Sequence, residues 1–308
     1  TLRSRGLGDV YKRQIIYLMN NLILKISVYL WRTTLIFPWK IQIIFGKLLG
    51  NILLIIPFKR NKFSKANIEL CFPELSKSKK NQILKRNIIL SGSVLFNTGI
   101  SWFWSDERIN KNIEYEIGGL KEIIEDQKNN KSILLFFKHS LHLELDARIL
   151  GMNCDIYGIE REHNSKDFNK LQMKGRLKSM KGLTDRNNTF TFIKWLKTGK
   201  TVLYAPDQDY GSKRSKEVDF FGHSAATVIA PYKLIQSTRC KTYFLDSYFT
   251  ENKLNLVIEK VSFNKNSEQD FLQEMNNYIE KKIREYPHEY LWQHRRFKST
   301  LGKDKLYK

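Results

Sequence analysis

Cysteine is scarce in this chain and does not cluster. The three thiols among 308 residues, Cys71, Cys154 and Cys240, stand far apart with no C-x-x-C pair. That excludes a zinc ribbon, a dithiol redox motif and a disulfide framework, and it suits a reducing compartment. Glycine-rich phosphate loops are missing as well. Neither G-x-G-x-x-G nor a Walker-type lysine motif occurs, so no nucleotide cofactor is implied. Also absent are the G-x-S-x-G elbow of serine hydrolases and the H-E-x-x-H zinc helix. Acidic residues are in deficit, 31 against 53 Lys and Arg, for a net charge of +22. Such a field attracts nucleic acid, anionic lipid headgroups or an acidic carrier protein, without choosing among them. Apolar residues make up 42%, which is ample for a core.

The chain divides unevenly. Residues 1–14 are polar, carry two glycines and lack an apolar period, which marks them as a non-native leader. Residues 15–58 are strongly apolar, yet Lys25, Arg32, Lys40 and Lys47 keep any uncharged run short of 18 residues. At roughly 100° per residue those four cations share about a quarter of a helical wheel. Pro38 is expected to split the segment into two helices. Their cations on one side suit helices lying in a bilayer interface with lysines reaching to headgroups, and Tyr17, Trp31 and Trp39 favour that setting. A tilted single span over Ile15–Trp39 and an amphipathic pair packed on the protein's own core are the alternatives. A basic collar follows at Lys59, Arg60, Lys62 and Lys65, where it would add attraction to anionic lipid.

Residues 59–308 read as one catalytic domain. Helical steps fill 76–106. Apolar, β-branched or aromatic runs at 132–137, 154–159, 201–205, 241–249 and 254–263 then alternate with helical patterns at 141–151, 166–180, 189–198, 224–237 and 267–285. Strands alternating with helices predict an α/β fold with a largely parallel central sheet flanked by helices. Ligands bind beyond the carboxyl ends of such strands, where His139 and the Pro206–Gly211 turn both fall.

His139 precedes Glu144 by five residues, on the turn from a strand into a helix. A Glu144 carboxylate on Nδ1 would fix the tautomer and leave Nε2 to take a proton from a hydroxyl. The alcohol would then attack an activated acyl carbonyl with no enzyme nucleophile. Asp207 and Asp209 on the later turn could orient an acceptor sugar, bind a metal or cap the next segment. His142 and Asp146, four residues apart, lack a third ligand in sequence reach, so no metal site is assigned.

From about Leu24 onward the sequence resembles the lipid A late acyltransferases, the lauroyl- and myristoyltransferase group of the lysophospholipid-acyltransferase superfamily. The residues that carry the likeness are the His139-x4-Glu144 motif, Arg148 four residues on, and the phrase Ala66-Asn-Ile-Glu-Leu-Cys-Phe-Pro-Glu74. Further matches are the Arg161 region, Gly175-Arg176, Asp185-Arg186, Tyr204–Gly211 and the closing Tyr290–Lys298. The resemblance implies a glycerolipid acyltransferase-like fold and transfer of a fatty acyl chain from acyl carrier protein to a hydroxyl of a lipid A precursor, of the Kdo2-lipid IVA type. On that likeness His139 is the base and Glu144 its partner. Arg161 steadies an oxyanion or holds a phosphate, unless it is an ordinary surface arginine. Arg148, Arg176, Asp207, Asp209 and Gly211 join the substrate side, and Arg295 or Arg296 contacts phosphate. It also implies no cofactor beyond the acyl-carrier co-substrate, anionic lipids as partners, and a place at the cytoplasmic face of the inner membrane. Acylation of another membrane glycolipid is the alternative within the class. A basic nucleic-acid-binding module is the alternative outside it, opposed by aromatics that follow apolar runs instead of interleaving with Lys and Arg.

Overall fold

The computed structural model describes residues 22–163 and 165–307. The leader 1–14 and residues 15–21 of the apolar segment, Tyr17 among them, lie outside these. Helix α1 runs over 22–34, and Pro38 then starts α2 (Trp39–Ile55). The break falls where the proline ring forbids a continuous helix. After α2 come α3 (Lys59–Cys71), α4 (Lys77–Ser91), α5 (Val94–Phe103) and α6 (Asp106–Asn112). Ser76 caps α4 by accepting from the Lys79 backbone N–H, and Ser105 caps α6 in the same way through Arg108.

The alternating part follows as β1 (Tyr115–Gly118), α7 (Leu120–Lys128), β2 (Ile133–Phe137), α8 (Leu143–Asn153), β3 (Tyr157–Glu160), α9 (Lys166–Arg176), β4 (Gly182–Asp185), α10 (Thr189–Lys197) and β5 (Thr201–Tyr204). A hairpin of β6 (Ser215–Phe220) and β7 (His223–Val228) leads to α11 (Ala230–Thr238), β8 (Lys241–Thr250), β9 (Lys253–Lys260), α12 (Glu268–Glu285) and the short α13 (Lys303–Leu306). The main sheet has seven strands in the order β1-β9-β8-β2-β5-β3-β4. Every pair in it is parallel except β8 with β9.

Strand β2 shows why the sheet is covered on both faces. Its residues alternate between two cores: Leu134 and Phe136 join Phe192, Leu196, Leu234, Phe271 and Ile279 on one side. Ile133 and Leu135 join Ile123, Leu145, Ile149 and Leu150 on the other. Side chains of a strand point alternately up and down, so an unbroken apolar run is what a doubly covered parallel strand requires.

The N-terminal helices are part of this structure. Leu35 and Trp39 are buried in the same core as Ile100, Trp104 and Leu145. Helix α2 approaches α4 through glycine: a Cβ on Gly50 would stand 2.1 Å from the Ile89 carbonyl oxygen, and one on Gly92 would stand 2.2 Å from that of Gly46. The opposite face is bare, with Ile41, Ile44, Leu48, Ile52 and Ile55 exposed at three- and four-residue steps. Lys25, Arg32, Lys40 and Lys47 are exposed, as are Lys59, Arg60, Lys62 and Lys65. Among the described residues no single helix is long and apolar enough to cross a membrane.

One expected helix is corrected. Residues 224–237 are half strand: β7 pairs antiparallel with β6, and α11 begins only at Ala230. The two strands join through Phe221 and Gly222, both at positive φ, the two-residue turn whose twist matches a hairpin. Burial of Phe221 against Phe72 and Trp292 offsets the strain of a non-glycine residue there.

Candidate active site

His139 and Asp207 meet because their strands are neighbours in register. Phe136 of β2 lies opposite Tyr204 of β5, and each functional residue stands three positions further along its own chain. Pro206 stops β5 and turns Asp207 back toward β2. Nδ1 of His139 is 2.6 Å from Asp207 Oδ1, and the His139 backbone N–H donates to Oδ2 at 2.9 Å. A carboxylate only accepts, so Nδ1 carries a proton, and in the neutral ring Nε2 then presents the lone pair. Among the described residues Nε2 has no hydrogen-bond partner. The His139 side chain is 16% exposed while that of Asp207 is 0%. Burial drives the Asp207 carboxyl upward, but the charge of His139 when its ring is protonated, together with the hydrogen bonds from His139, outweighs that and holds it below the usual range.

Glu144 is not the partner of Nδ1. Its carboxylate accepts from Trp102 Nε1 at 2.8 Å and from Arg176 Nε and Nη2 at 3.1 and 2.5 Å. The expected orienting role passes to Asp207, because α8 begins only at Leu143 and directs Glu144 toward α9 and α5. Glu144 instead ties those helices together beside the strand ends. Arg176 is held by Glu144 and by Glu160 Oε2 at 2.8 Å, so it is not free to grip a phosphate. Burial would lower the Arg176 pKa, but the two carboxylates raise it.

Other expected substrate contacts are corrected too. Arg148 is buried and pairs with the half-exposed Asp106 and the Trp104 carbonyl, while its Nε and Nη1 have no partner among the described residues. Asp209 is 1% exposed and occupied by its own turn: it accepts from Gly211 N at 2.8 Å and from Ser299 N and Oγ at 2.9 and 2.8 Å. Gly211 has φ +97°, which a Cβ would strain even though nothing stands near it. Together they shape the turn that presents Asp207. Arg296 is buried, donating to the Ala226 carbonyl at 2.7 Å and to Thr227 Oγ1 at 2.8 Å, while Arg295 lies over the Phe63 ring.

Two arginines do reach the open end. Arg161 follows β3, Arg186 follows β4, and both are exposed. Glu160 pairs with Asp185, and the Arg186 N–H donates to the Glu160 carbonyl at 2.7 Å, which sets the two arginines side by side. The Arg186 guanidinium stands 5.3 Å from the ring centre of Tyr210, on the turn of Asp207. His294 is a second imidazole at the site. Its Nε2 accepts from the Asp209 N–H at 3.1 Å, and burial followed by the charges of His139 and Lys298 pushes its pKa down to about 3. It is therefore neutral.

Sequence reasoning named Asp207 but missed its partnership with His139. The matching three-residue offset past two apolar strands was the available signal. Asp146 stood within one helical turn of His142 and was noted with it, whereas His294 and Glu289 left no signal, since their contacts join segments far apart in the chain.

A strand-end imidazole with a buried acid behind it, on a doubly covered α/β sheet, is an arrangement able to take a proton from a hydroxyl. The sequence comparisons narrow that chemistry: a model of the bacterial lipid A biosynthesis acyltransferases matches residues 12–299, and the chain belongs to that family. The match begins inside the leader 1–14. The chain is 30% identical over 276 residues to the lipid A biosynthesis palmitoleoyltransferase of Escherichia coli, covering 88% of this chain and 89% of that one. It is 34% identical over 267 residues to the lauroyltransferase of the same organism, covering 85% and 87%. A lipid A biosynthesis acyltransferase of Haemophilus influenzae is 33% identical over 282 residues, covering 89% of each chain.

Proposed function

We propose that the protein transfers a fatty acyl chain from the thioester of acyl carrier protein to a hydroxyl of a lipid A precursor of the Kdo2-lipid IVA type. His139 Nε2 takes the hydroxyl proton as the oxygen attacks the thioester carbonyl. The C–O bond forms, the tetrahedral oxyanion collapses, and the C–S bond breaks. The imidazolium returns its proton to the departing sulfur, so the carrier leaves as free thiol and His139 is neutral again. Asp207 steadies the imidazolium through both steps, and no cofactor or metal is needed because the thioester is already activated. Arg161, with Arg186 beside it, is the group on hand for the oxyanion or for a phosphate of the acceptor. Glu144 and Arg176 support the wall of the site from α8 and α9.

The bare apolar stripe of α2 and the exposed cations of α1 to α3 support seating on an anionic bilayer, at the cytoplasmic face of the inner membrane. A charge of +22 would draw both an acidic carrier protein and a phosphorylated lipid. The observation that carries this reading is the His139–Asp207 bond with Nε2 left open at the strand ends. Replacing the base tests it: His139→Ala should lower turnover by about 10³-fold or more with the melting curve unchanged. A folded variant that transfers acyl groups at the parent rate would overturn the assignment.

A further inference from the structure

His142 lies three residues past His139 and is buried away from the open end. Each of its ring nitrogens faces a carboxylate: Nδ1 is 2.7 Å from Asp146 Oδ1, and Nε2 is 3.2 Å from Glu289 Oε2. Ionised carboxylates only accept, so with both acids ionised the two bonds form together only when both nitrogens carry protons. Burial opposes that charge, but the two carboxylates outweigh it and raise the His142 pKa to about 9. Asp146 Oδ2 also accepts from Ser140 Oγ and Ser247 Oγ, both at 2.7 Å, and Glu289 Oε2 accepts from the Phe249 N–H at 3.0 Å. The charged and titratable groups around this cluster are Lys138 paired with Asp246, Lys282 and Glu285 of α12, and His288 beside Glu289.

What the cluster grips is the main chain of the site. The Leu141 N–H donates to the Glu289 carbonyl at 2.8 Å, and the Leu291 N–H donates to the His139 carbonyl at 2.9 Å. Ser140 and Tyr290 form an isolated antiparallel bridge between these bonds. The Tyr290 hydroxyl donates to the Asp207 carbonyl at 3.4 Å. Residues 289–291 are thus a brace laid along 139–141 that touches both members of the His139–Asp207 pair. The brace follows a 3₁₀ turn at Pro287–Glu289, and from the far side Asn87 Nδ2 of α4 donates to the His288 and Tyr290 carbonyls at 3.0 and 2.8 Å. On the side facing the His139 loop its side-chain anchor is Glu289, and the anchor point is His142.

We propose that His142, Asp146 and Glu289 form a buried clamp that holds the 289–291 brace against the His139 loop, and that they are positioning residues for acyl transfer. None of the three meets substrate. This rests on His139 being the base, as argued above. A displaced imidazole loses rate, because a misplacement of about 1 Å in a reacting group can cost about 10²-fold.

The test uses the full chain as Glu289→Ala and Glu289→Gln, with hydrogen exchange read by mass spectrometry on peptides spanning 139–142 and 289–292, beside kcat, KM and their pH profiles. With alanine, exchange in both peptides should quicken and kcat should fall about 10- to 100-fold with KM within about 2-fold. Glutamine keeps the shape and an acceptor for the Phe249 N–H but removes one of the two charges on His142. The alkaline fall of kcat should then begin about one pH unit nearer neutrality. Should the alanine variant fail to fold, the glutamine variant decides. Unchanged exchange, or an alkaline limb that stays at the parent position, overturns the clamp. Quickened exchange in a protein whose parent form transfers no acyl group would instead count against the proposed reaction.

Discussion

Asp207→Asn separates the two acids that compete for the role behind His139. Asparagine keeps the volume of a side chain that is 0% exposed, so the turn should survive. Two effects follow from the geometry. The charge-assisted bond at 2.6 Å disappears, and such bonds contribute about 1.5–3 kcal/mol, or roughly 10- to 150-fold in rate if realised in the transition state. The amide then accepts the His139 backbone N–H through its oxygen and turns its NH2 toward Nδ1. That stabilises the tautomer with the proton on Nε2, where no proton can be taken up. The same inversion in a serine triad lowers turnover about 10⁴-fold, so a fall of about 10³ to 10⁴ is expected here. Initial rates with an acyl carrier thioester and a lipid A precursor would measure it, beside a melting curve. Glu144→Gln removes one of the two carboxylates on Arg176, leaving Glu160, and loosens α8 from α9, so it should also lose activity, but it should keep at least about ten times the kcat of Asp207→Asn. The reverse order in two folded variants would refute the structural assignment and restore the dyad expected from spacing.

Arg148→Ala should lower stability by about 1–3 kcal/mol, discounted because its Asp106 partner is half exposed, with kcat within about 2-fold. A large loss of kcat in a stable protein would return Arg148 to the site. Stability should also depend on pH through His142. Its folded pKa is raised from 6.5 to about 9, so its contribution is complete below about 6.5 and is lost as pH rises through 9. Lys138, depressed to about 8, recovers in the opposite sense above that value. A net fall of about 1 kcal/mol is therefore expected between pH 6.5 and 8, and urea titrations that are flat over that window would contradict it. On α2, Ile44→Glu with Leu48→Glu should weaken sedimentation with anionic vesicles without moving the melting temperature. Unchanged binding would remove that face from the membrane account.

Much of the fold was legible because its signals are local. Strands β2, β5, β8 and β9 are apolar or alternating runs, and Pro38 punctuates α1 and α2 as its ring requires. Strands β1 and β4 escaped notice because each has four residues of mixed polarity. Strand β7 was hidden by Ala225 and Ala226, which fit a helical pattern as readily as a strand. At the site, His139 was legible from its place after β2, whereas the direction of Glu144 was not. Five residues of spacing allow a contact, but where the helix starts decides it. The arginines show the same limit: Arg148 and Arg176 look like anion binders in sequence, and only Asp106, Glu144 and Glu160 reveal that their charge is already met.

The central claim is tested most directly by mass spectrometry of a lipid A precursor incubated with the purified protein and a panel of acyl carrier protein thioesters. The account predicts that the precursor gains the mass of one acyl chain, that the carrier appears as free thiol, and that neither occurs with His139→Ala. A precursor that stays at its starting mass with every thioester, or gains the chain equally with His139→Ala, would contradict it.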